Sequence, residues 1–489
     1  MTSRRSSAAL RLGLALALAG VASLAFAADA APPGKVPITT ASPDARAAYL
    51  QGRDLAERLR VQEARPFFEK AVAADPQFAL AWLGLANTQP SPKAFFEKIA
   101  RAVALADQVS DGERLVIRGA DAGGRGDVAA QLKLYEELVQ KFPGDERALL
   151  LLANTHFGTQ RYGEAIALYE RAAKIAPGFS QIYNQLGYSY RFLGEMAKAE
   201  AAFKKYTEVL PDDPNPYDSY AELLLKLGRF DESIALYRKA LAVRPDFVNS
   251  QFGIATCLDL QGKGSEARRE LDAMLAAARD DGQRRAGLFA KTVSYAFEGN
   301  FAAAQGEMNK QLVLAEKIHD ALGMAGDYVP MGDLALAAGD AAAAAGFYRK
   351  AVDTVEASPN VAPANKENQR RFAIYTRAKV ALAQGDLAAA KQESAALSAA
   401  VAASGNPFQV RLGHEIAGRI ALAEKKWAAA ITELEAANQL NPLNRYHLSQ
   451  AYAGQGDAAK AKALAESARH DNTLVNLNLA LVRWEMKGS

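Results

Sequence analysis

Residues 181–190 read QIYNQLGYSY, and residues 215–224, which lie 34 positions later, repeat the pattern as NPYDSYAELL. The same spacing of aromatic, small and apolar positions runs through most of the first half of the chain, with unit starts near residues 45, 79, 112, 146, 180, 214 and 248. A constant period of this length is typical of an array of small supersecondary units, none of which buries its apolar face alone. The period therefore predicts a stacked repeat protein.

Within each unit the apolar positions have helical spacing. One side of the first helix is predicted to carry Tyr183, Leu186, Gly187 and Tyr190, because their spacings of three, one and three residues match the helical period. Gly187 carries no side chain, which permits a close approach by a neighbouring helix. A second helical stretch follows after a glycine at 194 or 228 and ends at a proline, at 211 or 245. Each unit is therefore predicted to be a helix, a turn and a second helix.

This pattern resembles the tetratricopeptide repeat, a helix-turn-helix unit with an aromatic residue, a Leu-Gly pair and a tyrosine on its first helix. Leu186, Gly187 and Tyr190 occupy those positions, with Ala199 and Phe203 in the second half of the unit. The resemblance implies an all-α fold: a superhelical solenoid of stacked antiparallel helix pairs, about twelve in number. Family members of this kind bind partners on the concave face formed by the first helices.

The chain is predicted to have four segments. Residues 1–27 combine Arg4 and Arg5, an apolar stretch and Ala25-Phe26-Ala27, the order found in a secretory signal peptide cleaved after Ala27. An uncleaved membrane anchor is the alternative reading of this segment. Residues 28–44 are predicted to be a flexible leader, residues 45–281 the regular array, and residues 282–489 irregular helical repeats with longer units and a C-terminal capping helix.

Charge and composition exclude several classes of partner. The chain has 58 Lys and Arg against 55 Asp and Glu, and removal of the signal peptide takes away Arg4, Arg5 and Arg11 and no acidic residue. The mature chain is then formally neutral, which argues against nucleic acid as a partner. It contains no apolar run long enough for a transmembrane span. Its one cysteine, Cys257, lies in an apolar helical stretch and is predicted to be buried.

No constellation of residues predicts catalysis or a cofactor. The five histidines are dispersed, and His414-Glu415 is not followed by the second histidine of the zinc-protease motif. The glycine-rich run at 123–127 resembles a phosphate-binding loop, but no strand precedes it, and Asp127 is placed to cap the next helix. We therefore predict a non-enzymatic chain with no metal or cofactor.

The candidate binding residues are polar and aromatic side chains on the part of each first helix that packing does not use. Amide, aromatic and charged groups on such a stripe can hydrogen-bond a peptide backbone and stack on side chains. The alternative is a solvated face without a ligand. The predicted groove consists of Asn154, Phe157, Asn184, Gln185, Tyr188, Arg191, Asn215, Asp218, Ser219, Glu222, Asn249 and Phe252.

Together these features predict a scaffold of the cell envelope that binds a peptide or protein segment in its concave groove. The signal peptide points to export, to the periplasm of a bacterium first and otherwise to secretion or association with the outer membrane. Two alternatives stay open at this point. One is an envelope-assembly or glycan-binding factor, in which the aromatic residues are stacking platforms for sugars. The other is an envelope hydrolase with its site in the C-terminal half.

Overall fold

A computed structural model describes residues 33–404 and 407–487. The predicted signal peptide, residues 1–27, lies outside the described residues. Helices make up most of the described chain, and no β-strand occurs in it. It forms two compact units, with the boundary between Ile182 and Tyr183 inside one helix. The predicted division into segments at 281/282 stays a prediction.

Unit 1 contains eight helices and the start of a ninth. They are α1 (Pro43–Glu57), α2 (Val61–Ala74), α3 (Ala79–Asn87), α4 (Pro92–Leu105), α5 (Asp111–Gly124), α6 (Val128–Lys141), α7 (Glu146–Gly158), α8 (Tyr162–Ile175) and α9 (Ser180–Phe192), with a 3₁₀ turn at Ala106–Gln108. The first helix of each repeat in this part, which is α1, α3, α5, α7 or α9, starts within two residues of the predicted start of that repeat.

Unit 2 continues the helical pairs. Its further helices are α10 (Met196–Val209), α11 (Pro214–Lys226), α12 (Phe230–Val243), α13 (Val248–Leu260), α14 (Gly264–Ala276), α15 (Asp281–Glu298), α16 (Phe301–Lys317), α17 (Ala321–Ala337), α18 (Ala341–Ala357), α19 (Pro363–Ala383), α20 (Leu387–Ser404), α21 (Pro407–Ala423), α22 (Trp427–Ala436), α23 (Pro442–Gln455), α24 (Ala458–Arg469) and α25 (Leu477–Glu485). The helices from α15 to α21 have 17 to 21 residues, which lengthens the period as predicted.

The helices stack in the manner of a solenoid. Consecutive helices pack as antiparallel pairs, such as α1 with α2 and α11 with α12. The first helix of a repeat also contacts the first helix of the next repeat, as in the contacts of α1 with α3 and of α11 with α13. A first-helix face therefore runs along each unit. The turns use the left-handed backbone region, with φ of +78° at Gly194 and +76° at Gly228, where glycine has no steric penalty. These observations confirm the all-α repeat solenoid predicted from the sequence.

Two features of the fold were not predicted. The described part of the leader is not free: its residues 35–40 lie along unit 1 and form hydrogen bonds with it. The last helix, α25, which was predicted to cap the array, packs against α23 and α24, whereas its contact with α15 in the middle of unit 2 was not predicted. Neither contact has a local signal in the sequence, because the partners are far apart along the chain.

Candidate functional site

The predicted groove residues of α9 and α11 form a hydrogen-bonded cluster in unit 2. The hydroxyl of Tyr188 donates to Glu222 Oε2 at 2.9 Å, and Arg191 Nη1 donates to Glu222 Oε1 at 2.6 Å. The Arg191 guanidinium also lies 5.7 Å from the Tyr188 ring centroid. Because Tyr188 and Glu222 are 34 residues apart, the repeat places these side chains at equivalent positions of adjacent units. The structure thus brings these three residues together, bonded to one another.

The neighbouring predicted residues on α11 form hydrogen bonds with one another and with side chains of α10 and α13. Asn215 Oδ1 accepts hydrogen bonds from Tyr206 and from Ser219 at 3.3 and 3.2 Å. Ser250 Oγ on α13 donates to Asp218 Oδ1 at 2.7 Å. Ser219 is buried, so it contributes packing and not accessible surface.

The remaining predicted residues differ in accessibility. Asn184 is buried, and its Oδ1 has no hydrogen-bond partner within the described residues. Gln185 is half-buried, Asn249 on α13 is exposed, and Phe252 is half-buried against the apolar core of unit 2. In unit 1, Asn154 Oδ1 accepts a hydrogen bond from Tyr169 at 2.6 Å. Phe157, also in unit 1, is half-buried and makes an edge-on contact with the ring of Tyr162. Whether these residues bind a partner stays a prediction.

Burial raises the pKa of Asp218 to about 7, while the Ser250 hydrogen bond lowers this pKa and the charge of Glu222 raises it. A carboxyl group with a raised pKa stabilises the folded state fully below its unfolded pKa, and this stabilisation is lost as the pH rises through the folded value. We therefore expect the contribution of Asp218 to the free energy of unfolding to fall between about pH 4 and pH 7, on the order of 1 kcal/mol per pH unit at its steepest.

Asp218→Asn should flatten this dependence, because the amide keeps an acceptor for Ser250 and cannot ionise. Urea unfolding at about pH 5 and about pH 8 measures the difference between the variant and the wild type. The matched control is Asp212→Asn, which changes an exposed aspartate of the same unit. If Asp218→Asn and Asp212→Asn lose the same stability between the two pH values, Asp218 does not carry the dependence.

A second candidate surface, which the sequence did not predict, lies in unit 1 and includes the chain's own N-terminal strap, residues 35–40. The strap is held through its backbone: Val36 N donates to Asp145 Oδ2 at 2.8 Å, and Thr39 N donates to Glu113 Oε1 at 2.7 Å. Arg46 in turn donates to the carbonyl of Ile38 at 2.8 Å. The side chains of Lys35, Thr39 and Thr40 add hydrogen bonds to Glu146, Glu113 and Asp75. The surface therefore holds this segment both through backbone groups, which every peptide carries, and through its side chains.

The strap borders a cavity of about 690 Å³, the unit 1 cavity, whose other walls come mostly from the first helices α1, α3 and α7. Val61 and Phe68 of the second helix α2, with single residues of α5 and α9, complete the lining. Its lining is largely apolar, with Leu80, Leu83 and Leu151 among the side chains. Arg147 Nε and Nη2 donate to the two carboxylate oxygens of Glu57 at 2.6 and 2.9 Å, which ties α7 to α1 beside the cavity. An apolar concavity with a few polar groups is the usual form of a ligand site.

Two general properties of the described chain bear on its function. No group of three or more His, Cys, Asp or Glu side chains in residues 33–404 and 407–487 has the arrangement of a metal site. In the same residues, none of the helices combines the length and the hydropathy needed to cross a bilayer.

Asp127 caps α6 by accepting a hydrogen bond from Ala130 N at 3.0 Å, as predicted for the glycine-rich run at 123–127.

Comparison with known proteins identifies the family. Sequence models described as tetratricopeptide repeat match residues 118–178, 156–223 and 224–291. This is a tetratricopeptide repeat protein. Repeats of this family indicate a scaffold for protein–protein interactions, and such scaffolds are generally non-catalytic. No curated protein gives a significant match to the chain.

Several solved structures resemble part of this tetratricopeptide repeat protein. A tetratricopeptide repeat protein from Parabacteroides merdae has 19% identity and a TM-score of 0.41, covering 54% of this chain and 99% of its own. A thermophilic tetratricopeptide repeat protein from Thermus thermophilus has 24% identity and a TM-score of 0.30, covering 44% and 98%. PilW, a type IV pilus biogenesis factor, has 21% identity and a TM-score of 0.30, covering 52% and 92%.

Proposed function

We propose that this protein is a non-catalytic scaffold of the bacterial periplasm that binds peptide segments of partner proteins on the first-helix face of its repeats. The observation that carries the proposal is the strap in unit 1. An extended segment with a proline at its centre, Pro37, is held there by carboxylates at the N-terminal ends of α5 and α7. A partner segment can use the same kind of contact, side chain to backbone, in the adjoining cavity.

The chemistry of this face favours a peptide over a small rigid ligand. The unit 1 cavity is bordered by several helices and by the strap, and its walls carry both apolar side chains and hydrogen-bonding groups. Its volume of about 690 Å³ is within the range of pockets that hold ligands the size of a few residues. Export is part of the proposal, and it rests on the N-terminal sequence alone.

The proposal is tested by site-specific photocrosslinking in bacterial cells. A photoreactive residue at Val61, which lines the unit 1 cavity and is 39% exposed, is expected to crosslink a partner protein. The matched control is the same residue at Val128, which is 38% exposed and, like Val61, is the first residue of a second helix, but lies outside the cavity lining.

The expected result is a crosslinked product from position 61 in the periplasmic fraction, on a chain that begins at Ala28, and none from position 128. Mass spectrometry of the product then identifies the bound segment. Identical products from the two positions would contradict recognition at this surface. A product found only in the cytoplasm, on a chain that retains residues 1–27, would contradict the proposed location.

A further inference from the structure

A second cavity lies in unit 2, where the C-terminal segment returns to the middle of the array. This unit 2 cavity has a volume of about 720 Å³, and residues 471–478 form one of its walls. The wall is fixed in place: Asn472 Nδ2 donates to the Lys226 carbonyl at 3.5 Å, and Val475 has a φ of +29°. A β-branched residue keeps such a strained conformation only where surrounding contacts determine it.

The positive charge in this cavity exceeds what the local carboxylate balances. Lys226 Nζ lies 2.5 Å from Asp471 Oδ1, and Arg445 Nη2 lies 2.9 Å from Asp471 Oδ2. The Asp471 carboxylate is therefore the ion-pair partner of both Lys226 and Arg445. Nη2 of Arg445 makes the ion pair with Asp471 without the alignment of a hydrogen bond, and its Nε, which is also buried, has no hydrogen-bond partner within the described residues. The charge of Arg445 is thus only partly compensated.

The other charged side chains of the lining do not change this balance. Arg191 has its own partner in Glu222, 2.6 Å away. Asp333 is paired with Lys379 and accepts a hydrogen bond from the Tyr348 hydroxyl at 2.5 Å. Both groups are therefore neutralised by residues that they already contact, and the excess positive charge stays with Lys226 and Arg445.

Large apolar side chains line the same cavity as Lys226 and Arg445. Phe192 is 53% exposed and Leu440 is 82% exposed, and both line the cavity. Phe289 and Pro330 are half-buried in the same lining. Exposed apolar groups next to a cation form a surface that fits an apolar side chain beside a carboxylate.

We propose that the unit 2 cavity binds a peptide segment in which a glutamate or aspartate lies next to large apolar residues. The carboxylate approaches Arg445 and Lys226, and the apolar side chains cover Phe192 and Leu440. This inference rests on the proposed function, because it assigns a ligand class to one part of a peptide-binding scaffold. It adds a site that is separate from the unit 1 cavity and that exists only because the C-terminal segment folds back.

The test uses the full-length protein and two fluorescein-labelled, end-blocked peptides, Leu-Glu-Phe-Glu-Leu and Leu-Gln-Phe-Gln-Leu. Fluorescence anisotropy is expected to show that the acidic peptide binds about two- to fivefold more tightly, the effect of a partly exposed charge pair. Arg445→Gln should abolish this preference. Dodecanoate, a carboxylate on an alkyl chain, serves as a competitor that distinguishes an amphiphile from a peptide.

A second variant keeps the test valid if Arg445→Gln disturbs folding. Leu440→Ser should weaken both peptides about equally, because it removes exposed apolar surface, while the control Leu322→Ser, at a 47% exposed leucine outside the lining, should change nothing. Equal binding of the two peptides, unchanged binding by Leu440→Ser, or binding of dodecanoate alone would overturn the proposal. Crosslinking at Val61 would be unaffected by such a result, so the proposed function is tested separately.

Discussion

Leu479→Ala is expected to lower the free energy of unfolding by about 2–5 kcal/mol, the usual cost of a leucine removed from a closed core. Leu479 lies on α25 and is fully buried in the largest apolar cluster of unit 2, together with residues of α13, α15 and α17. The substitution leaves a cavity that the surrounding helices fill only in part. Chemical denaturation followed by circular dichroism measures the loss.

Leu440→Ala is the matched control, because the same substitution is made at a leucine that is 82% exposed and lies outside this cluster. Its stability should stay within about 0.5 kcal/mol of the wild type. If Leu479→Ala is no more destabilising than Leu440→Ala, α25 is not part of the core. The C-terminal wall of the unit 2 cavity would then be a loosely attached segment.

The sequence predicts the regular helices well because each repeat encodes the same local rules. The starts of α3, α7, α9, α11 and α13 match the predicted unit starts, since a constant pattern of small and aromatic residues marks them. The left-handed turns at Gly194 and Gly228 follow from glycine at the position that requires positive φ. About twelve pairs were predicted, and α1 to α24 form twelve pairs in the described chain.

The sequence did not predict the contacts that give the candidate sites their shape. The N-terminal strap reaches Glu113 and Asp145, and Asp471 reaches Lys226 across 245 residues. Such contacts depend on the number of stacked repeats and on the rotation between neighbouring repeats. Small differences in this rotation accumulate along the array.

The same limit applies to the predicted groove. Helical spacing placed Tyr188 and Arg191 on one stripe, and the structure confirms that they are adjacent. Spacing within one helix gives no information on the neighbouring helix, where Glu222 accepts hydrogen bonds from both side chains. Part of the polar character that was read as a binding surface therefore stabilises the contact between α9 and α11.

Gly253→Val is expected to destabilise the protein by about 3 kcal/mol or more, at the upper end of the cost of overpacking a core. Gly253 on α13 faces the ring of Tyr237 on α12, and a Cβ atom at this position would lie 2.1 Å from the Tyr237 Cζ atom. Tyr237 is fully buried, so its ring has no free space into which it can move. The two helices would have to separate.

The control for this prediction is Gly346→Ala on α18, where no atom outside the local helix backbone lies within 4 Å of the added Cβ. Alanine should stabilise this helix by about 0.5–1 kcal/mol, because glycine loses more conformational freedom on folding. Thermal and urea denaturation of both variants measure the two effects, which have opposite signs. If Gly253→Val has the melting temperature of the wild type, α12 and α13 are not in close contact at Gly253. The pairing of a glycine with an aromatic ring would then not determine the distance between neighbouring repeats.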